Sequence, residues 1–170
     1  DKIRQAEDEL RRQTENIVLI GMPASGKSTL GAMLGKALGR PVWDSDEELL
    51  RRTGLTAEEL LTRRGEDEFR RLETEVLSDL GKRWGGIIAT GGGCVTRVEN
   101  RALLRQNGVV IWLQRDLKKL DVSGRPLLKT VSIEALYRQR KALYEGFCDK
   151  IISNDGTPQE TLRRLKESLL

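Results

Sequence analysis

The sequence predicts an α/β fold of three layers (α/β/α), in which helices cover both faces of a parallel sheet. Short apolar segments alternate with segments of helical periodicity along most of the 170 residues, and this alternation is typical of a parallel sheet with both faces buried. The length suits one domain. A glycine-rich loop directly follows the first apolar segment, which places it at a strand end, where open α/β sheets bind ligands.

Five segments are predicted to be strands because they are short, apolar and rich in β-branched residues. They are Asn16 to Ile20, Pro41 to Trp43, Ile87 to Ala89, Val109 to Leu113 and Lys150 to Ile152. Helical or loop sequence separates each strand from the next, so the strands are expected to run parallel.

Helical periodicity fills most of the chain between these strands. The helix after the first strand is expected to end at Gly39, because glycine is a favourable C-cap. From Ser45 to about Arg83 the pattern is helical, and Gly54 and Gly65 divide it into three helices.

Residues 1–15 precede the first strand and are predicted to form an N-terminal helical extension or linker, outside a single α/β domain at 16–170. The segment is polar, with a thin apolar stripe at Ile3, Ala6 and Leu10. It is therefore expected to bury little area against the domain.

The composition is that of a globular protein without a membrane span. Apolar residues make up 38% of the chain and charged residues 33%, and no apolar run approaches the roughly 18 residues that a span needs. The charged opening segment lacks the apolar core of a secretory signal. We therefore expect a cytoplasmic protein with no membrane partner.

The residue types limit the metal and acid–base chemistry. The chain has no histidine and two cysteines, and Cys94 and Cys148 form no CxxC pair, so the usual zinc ligands are missing. Any metal is expected to be held by oxygen atoms, and proton transfer must involve Asp, Glu, Lys, Tyr or Cys. The net charge of +4 is explained by arginines that bind small anions as well as by a nucleic-acid surface.

The first strand runs into a phosphate-binding motif, G-x-x-x-x-G-K-S, at residues 21–28. In such a P-loop the backbone N–H groups and the positive end of the helix dipole bind phosphates. Lys27 reaches the β- and γ-phosphate oxygens, and Ser28 binds Mg²⁺. A chance glycine turn is the alternative, and the placement between a strand and a helix disfavours it. The residues predicted to bind nucleotide are Gly21, Ala24, Ser25, Gly26, Lys27, Ser28 and Thr29.

The P-loop does not identify a reaction, because kinases, ATPases and GTPases share it. Four further segments are more informative. They are Asp44-Ser45-Asp46, Gly65 to Glu73, Gly91-Gly92-Gly93, and Arg125-Pro126-Leu127-Leu128 followed by Arg140-Lys141-Ala142-Leu143-Tyr144. In this order and spacing, together with the P-loop, they resemble the shikimate kinase family over roughly residues 16–168.

The resemblance implies a five-stranded parallel sheet of the nucleoside monophosphate kinase type. It also implies an enzyme of aromatic amino-acid biosynthesis that uses ATP and Mg²⁺ to phosphorylate the 3-hydroxyl of shikimate, giving shikimate 3-phosphate and ADP. We expect a monomer whose partner is this small molecule. Because enzymes of this pathway are sometimes fused, residues 1–15 are either a connector to an upstream enzyme or a boundary created by cloning or processing.

The resemblance also implies roles for two acidic residues. Asp44 is expected near the Mg²⁺ ion together with Ser28, and Asp46 at the shikimate hydroxyls, where it orients or deprotonates the attacking one. Both carboxylates follow a predicted strand, where open sheets place ligand groups. The alternative is that Ser45 or Asp46 only caps the next helix.

Two arginines are implied to bind the shikimate carboxylate, Arg70 and Arg140. A planar guanidinium binds a carboxylate better than a lysine does. Glu73 lies on the same helix face as Arg70 and can hold its guanidinium in place. The alternative for any single arginine is a solvated helix face.

Three further elements complete the implied site. Gly91, Gly92 and Gly93 leave no side chains at a strand end, so backbone and shikimate can approach closely, and a flexible turn is the alternative. Arg125 belongs to the segment that resembles the lid over ATP, where it would neutralise charge on the transferred phosphoryl group. Thr157 is placed beside the adenine.

The chain departs from the family pattern at a few positions. Ala24 stands where the family often has glycine, and Ala142 replaces a common proline. The stretch at residues 115–124 is shorter than usual, so no arginine is assigned to the adenine side. These differences concern the nucleotide side more than the reaction type.

Two other functions stay open at this point. A gluconate or nucleoside monophosphate kinase would have the same core and another acceptor, although a nucleobase usually needs more aromatic surface than Phe69 offers. A non-catalytic P-loop module or a nucleic-acid binder is the second, but Lys27, Ser28, Asp44 and Asp46 are all present. Aromatic residues make up only 4% of the chain, which disfavours stacking on bases, so we expect no nucleic-acid partner.

Overall fold

The computed structural model describes residues 1–121 and 132–170 of the chain. The strands in these ranges are β1 (Asn16–Ile20), β2 (Val42–Asp44), β3 (Ile87–Ala89), β4 (Gly108–Gln114) and β5 (Lys150–Ser153). They pair in parallel in one five-stranded sheet of order β2-β3-β1-β4-β5. The predicted fold class is confirmed, and each strand boundary lies within one residue of its prediction.

Helices connect the strands and begin and end close to the predicted positions. The α-helices of the described residues are α1 (Lys2–Thr14), α2 (Lys27–Leu38), α3 (Ser45–Thr53), α4 (Ala57–Arg64), α5 (Glu66–Gly81), α6 (Glu99–Arg105), α7 (Ile133–Phe147) and α8 (Pro158–Ser168). Gly54 and Gly65 separate α3, α4 and α5 as predicted, with φ angles of 71° and 82° that favour glycine. None of these helices is long and apolar enough to cross a membrane.

The strand β1 lies at the centre of the sheet, and all five of its residues are buried. Successive side chains of a strand point to opposite faces, so Ile17 and Leu19 belong to one apolar cluster, and Val18 and Ile20 belong to the other. Helices α2 and α8 cover the first face, and α5, α6 and α7 cover the second. These contacts produce the three layers.

The parallel order brings the carboxyl ends of β1, β2 and β3 to one edge of the sheet. After β1 the chain passes to β2 and β3 on one side, and later to β4 on the other side. Such a switch in direction opens a crevice at the carboxyl ends of the strands. Asp44 is the last residue of β2 at this edge, and the P-loop and Gly91 follow β1 and β3.

Helix α1 has no buried residue and is attached to the sheet through its C-terminal end. Arg40 Nη1 donates a hydrogen bond to the Glu15 carbonyl at 2.9 Å, and Asn107 Nδ2 donates to the Thr14 carbonyl at 3.0 Å. The domain boundary after residue 15, and the connection of this segment to an upstream enzyme, stay predictions.

Deleting residues 1–10 is expected to change the free energy of unfolding by less than about 0.5 kcal/mol, because every deleted side chain is exposed. As a control, Leu34→Ala in α2 removes a fully buried side chain and is expected to cost about 2–5 kcal/mol. Urea unfolding followed by circular dichroism measures both. A loss comparable to that of the control would show that α1 belongs to the folded core.

Candidate active site

The loop between β1 and α2 has the backbone geometry of a phosphate cradle. Gly26 is the N-cap of α2 with a φ of 97°, and Ala24 has a φ of 64°. Both angles lie in the left-handed region, which glycine adopts freely and alanine adopts at a cost of about 1–2 kcal/mol. Because α2 begins at Lys27, its first N–H groups and the positive end of its dipole face this loop.

Lys27 is buried within the loop. Its Nζ donates to the carbonyls of Gly21 and Met22, at 2.8 Å in each case, and lies 3.5 Å from Ser25 Oγ. The ammonium group is therefore held inside the loop that the motif predicts to bind phosphate.

A hydrogen bond joins the P-loop to the end of β2. The Ser28 hydroxyl donates to Asp44 Oδ2 at 2.7 Å. The other oxygen, Asp44 Oδ1, accepts from the Asp46 N–H at 2.9 Å, so the N-cap of α3 is Asp44. The alternative in which Ser45 or Asp46 only caps this helix is therefore wrong, because the residue before them performs that role.

The Ser28 hydroxyl and the Asp44 carboxylate offer two oxygen ligands beside the phosphate loop. Mg²⁺ prefers oxygen, keeps several waters and is usually held by one or two protein groups together with substrate phosphates. The described residues contain no group of three or more His, Cys, Asp or Glu side chains that could hold a metal ion. The two residues therefore fit a cation shared with phosphate and not an all-protein cage.

Asp46 faces the glycine loop that follows β3. A methyl group at Gly91 would lie 3.2 Å from Asp46 Oδ1 and 2.9 Å from Glu73 Oε2. Glycine at this position therefore leaves room for both carboxylates. The Gly91 N–H donates to Ser45 Oγ at 3.1 Å, which ties this loop to α3. Asp46, Glu73 and the glycine loop are thus direct neighbours.

Arg70 and Glu73 form a buried ion pair on α5. Arg70 Nη1 donates to Glu73 Oε1 at 2.9 Å, and the two side chains are 6% and 0% exposed. Burial raises the pKa of Glu73, and the charge of Arg70 opposes this shift. This is the contact that their spacing on one helix predicts, and losing either partner would leave a buried charge uncompensated.

Gly93 packs directly against the Arg70 guanidinium. A methyl group at this position would overlap Nη2 and lie 2.5 Å from Cζ. The Gly93 φ of −100° is open to any residue. The glycine is therefore required by the close contact and not by its backbone conformation.

Arg140 is buried on α7, one helical turn before Tyr144. The Tyr144 hydroxyl donates to the Gly92 carbonyl at 2.6 Å, and the charge of Arg140 acts on the same phenol. Burial raises the pKa of Tyr144, so the phenol keeps its proton. The ring stacks on Trp112 with centroids 5.4 Å apart.

Tyr144 thus holds the glycine loop against the helix that carries Arg140, a role that was not assigned from the sequence. Its position one helical turn after Arg140 is the signal that could have placed it beside that residue.

The P-loop and the glycine loop line one cavity of about 230 Å³. Its lining residues are Pro23, Ala24, Ser25, Gly26, Lys27, Ser28, Thr29, Asp44, Asp46, Thr90, Gly91 and Gly92. The structure therefore brings the predicted phosphate, cation and hydroxyl sites together. Arg70, Glu73 and Arg140 are not in this lining, and the first two contact the glycine loop directly.

A larger cavity of about 780 Å³ opens at the opposite edge of the sheet, where Ile17, Val109 and Lys150 lie in the first two positions of their strands. Its described lining includes none of the predicted site residues. The predicted site residues therefore lie at the smaller cavity and not at the larger one.

Three predicted nucleotide-site residues, Gly21, Thr157 and Arg125, are not among the described residues that line the smaller cavity. Thr157 and Glu160 form a capping box at the start of α8, in which Thr157 Oγ1 accepts from the Glu160 N–H at 3.2 Å. The position of Thr157 beside the adenine stays a prediction. Arg125 lies outside the described residues, and its action in a lid also stays a prediction.

Two buried polar residues of this region were not singled out from the sequence. Thr90 lines the cavity, and its hydroxyl donates to the Leu19 carbonyl at 2.8 Å. Asn154 Nδ2 donates to the Ser25 carbonyl at 2.8 Å. Each residue follows the last position of a strand, β3 and β5, and this placement is the signal that could have identified them.

Comparison with known proteins relates this site to one family. The family model described as shikimate kinase matches residues 23–170. The chain belongs to the shikimate kinase family. Shikimate kinases from Clostridium botulinum and Methylococcus capsulatus are each 39% identical to it, over 160 and 164 residues. These alignments cover 91% of this chain, and 96% and 92% of the two relatives.

Solved structures of the family have the same fold. The shikimate kinase from Acinetobacter baumannii in complex with shikimate has a TM-score of 0.86 and 32% identity, over 95% of this chain and 96% of that chain. The enzyme from Aquifex aeolicus has a TM-score of 0.78 and 32% identity, over 91% and 95%. A gluconokinase from Sinorhizobium meliloti, 18% identical with a TM-score of 0.51 over 93% and 97%, shows likeness of fold alone.

Replacing Gly93 with alanine is expected to lower the free energy of unfolding by about 1–3 kcal/mol, because the methyl group displaces a buried guanidinium in a packed site. Gly146→Ala is the matched control, since a methyl group on that face of α7 meets nothing within 4 Å. The control is expected to be neutral or stabilising by up to about 1 kcal/mol. Urea unfolding compares the two, and equal stabilities would contradict the packing of Gly93 on Arg70.

Proposed function

We propose that this chain transfers the γ-phosphoryl group of ATP to the 3-hydroxyl of shikimate, giving shikimate 3-phosphate and ADP. The observation that carries this proposal is the single cavity that joins the P-loop to Asp46 and Gly91, with the buried Arg70 packed against the same glycine loop. Membership of the shikimate kinase family and the relative solved with shikimate support the same reaction.

The nucleotide end of the cavity suits a triphosphate. Backbone N–H groups at the start of α2 bind phosphate oxygens without a change of conformation. Lys27 lies among the loop carbonyls of Gly21 and Met22, within the loop that would surround the phosphates. Its ammonium group would neutralise charge that develops on the transferred phosphoryl group.

Ser28 and Asp44 would hold Mg²⁺, and their oxygens already lie 2.7 Å apart. When bound, the ion neutralises phosphate charge. The contribution of the chain is to fix these ligands in advance, since Asp44 is also held by its cap on α3. The orientation of its carboxylate is therefore set before any ligand enters.

The acceptor end suits a small carboxylic acid that carries hydroxyl groups. Arg70 Nε is buried and finds no hydrogen-bond partner among the described residues, and buried polar groups are rarely left in that state. A substrate carboxylate would satisfy this donor and others of the guanidinium, which has five N–H groups. Arg140, which is buried one helical turn before Tyr144, would supply the second cation of the clamp.

Asp46 is the residue proposed to orient or deprotonate the attacking hydroxyl. Asp46 lines the cavity, and its carboxylate lies beside Gly91 at the start of the glycine loop, where the acceptor hydroxyl would enter. With no histidine in the chain, a carboxylate at this position would accept the proton of the hydroxyl.

We further propose that the chain acts as a monomer in the cytoplasm and that its partner is a small molecule. Neither a nucleic-acid surface nor a membrane is needed for the reaction, since both substrates bind in one cavity. The monomeric state and the location stay predictions, which size-exclusion chromatography and cell fractionation would test.

A coupled assay of ADP release tests the proposed reaction with shikimate, gluconate and nucleoside monophosphates as acceptors. Turnover is expected to depend on shikimate. Lys27→Ala is expected to lower kcat at least about a hundredfold with unchanged circular dichroism, because it removes a charge that acts in the transition state. Turnover that prefers gluconate or a nucleotide would contradict the acceptor, and salt-sensitive DNA retention without turnover would favour a binding module.

Arg70→Lys is expected to raise the KM for shikimate about tenfold or more and to change the KM for ATP less than twofold, because a lysine cannot form the two-pronged contact to a carboxylate. Arg71→Lys is the matched control on the next residue, whose side chain is 51% exposed and pairs with Glu68 and Glu75. The control is expected to leave both constants unchanged. If Arg70→Lys instead raised the KM for ATP alone, the carboxylate site would be wrongly assigned.

A further inference from the structure

Asn154 occupies a fully enclosed position directly after β5, where it is 2% exposed. Both polar groups of its backbone, the N–H and the carbonyl, are hydrogen-bonded. The Asn154 N–H donates to the Gln114 carbonyl at 2.6 Å, and its carbonyl accepts from Arg115 Nη1 at 2.8 Å. These two hydrogen bonds fix the backbone of Asn154 to the end of β4.

The side-chain amide of Asn154 bridges α8 and the P-loop. Nδ2 donates to the Ser25 carbonyl at 2.8 Å, and Oδ1 accepts from the Thr161 hydroxyl at 2.7 Å. Thr161 is completely buried in α8. A carbonyl can only accept and this hydroxyl donates, so the two contacts allow one orientation of the amide.

The contact with Ser25 controls the direction of one peptide group in the phosphate loop. The carbonyl and the N–H of a trans peptide point in opposite directions. Because the Ser25 carbonyl is drawn toward Asn154, the N–H of Gly26 points away from Asn154. Phosphate binding by a P-loop depends on such N–H groups being directed to the ligand.

Gly26 is matched to this contact. A methyl group at Gly26 would lie 2.6 Å from Asn154 Nδ2, so a side chain there would displace the amide. The φ of 97° at Gly26 also disfavours any residue other than glycine. Gly26 thus allows the left-handed turn of the loop and also leaves room for the Asn154 amide.

We propose that Asn154 is a positioning residue for the nucleotide, which holds the Ser25–Gly26 peptide in the orientation that directs the Gly26 N–H to a phosphate. Thr161 supports it by holding the amide of Asn154. The proposal deepens the proposed function, because it concerns the phosphate end of the same cavity. It does not depend on which acceptor the chain phosphorylates.

Asn154→Asp tests the proposal, because a carboxylate oxygen replaces the donor that faces the Ser25 carbonyl. We expect the Kd for Mg·ADP, measured by isothermal titration calorimetry, to rise on the order of tenfold, since a buried carbonyl loses its donor. The KM for ATP is expected to rise with it, and the KM for shikimate to stay within twofold. Thr161→Val keeps the donor and is expected to raise the Kd by a smaller factor.

Asn16→Asp is the matched control at the opposite edge of the sheet. Asn16 is also buried, and its Nδ2 donates to a backbone carbonyl, that of Arg83, at 2.7 Å. The same substitution therefore removes a comparable bond far from the P-loop. We expect a lower melting temperature with an unchanged Kd for Mg·ADP, which separates positioning from general stability.

The amide resonance of Gly26 in a ¹H–¹⁵N spectrum gives a second readout. In the unsubstituted chain it is expected to shift on addition of Mg·ADP, and in Asn154→Asp the shift is expected to be lost or strongly reduced. A folded Asn154→Asp variant that binds Mg·ADP within twofold of the unsubstituted chain would overturn the proposal. If that variant does not fold, Asn154→Ser, which is too short to reach Ser25, is judged by the same criterion.

The outcomes for the two proposals are separable. An unsubstituted chain that fails to bind Mg·ADP would overturn the proposed function together with the role of Asn154. Normal binding by the unsubstituted chain and by both Asn154 variants would overturn the role of Asn154 alone.

Discussion

The parallel pairing of β1 with β3 on one side and with β4 on the other is the constraint on which the rest of the structure depends. Ile17 is opposite Ile87 in one pair and opposite Val109 in the other, so the register of three strands is fixed together. A shift by one residue would exchange the two faces of β1, so each side chain of a strand that is buried on both faces would meet the apolar cluster shaped for its neighbour. The same register brings the P-loop, Asp44 and Gly91 to one edge, and the candidate active site lies there as a consequence.

Buried charge is the second constraint, because Arg70, Glu73 and Arg140 are each removed from water. Such groups are costly unless each is paired and held in place. Glu73 pairs with Arg70, and Tyr144, on the helix of Arg140, donates a hydrogen bond to the glycine loop. Because the partners come from α5, α7 and the loop after β3, the site is held by several parts of the fold. A site held in this way is arranged before substrate enters, which reduces the ordering that binding would otherwise require.

Much of this arrangement could be predicted from the sequence, because the relevant signals are local. Gly54 and Gly65 ended helices where expected, and the spacing of Arg70 and Glu73 indicated their contact on one helix face. The identity of the α3 cap differed by one residue, since neighbouring polar side chains compete for the same N–H groups. Local sequence patterns could not predict contacts between segments that are far apart in the sequence. Asn154 and Ser25 are 129 residues apart in sequence, and no periodicity or motif relates an asparagine after one strand to a carbonyl after another.

The stacking of Trp112 on Tyr144 gives the chain an internal optical reporter. The three tryptophans have different surroundings: Trp84 is 71% exposed and Trp112 is 1% exposed, whereas Trp43 lies beneath the Arg83 guanidinium. An indole in a dry environment emits at shorter wavelength than one in water, so the blue edge of the emission spectrum comes mainly from Trp112. Tyr144, which stacks on Trp112, donates a hydrogen bond to the Gly92 carbonyl. A movement of the glycine loop would therefore change the surroundings of the Trp112 indole. The intrinsic fluorescence of the chain is therefore expected to report movements of the glycine loop without an added dye.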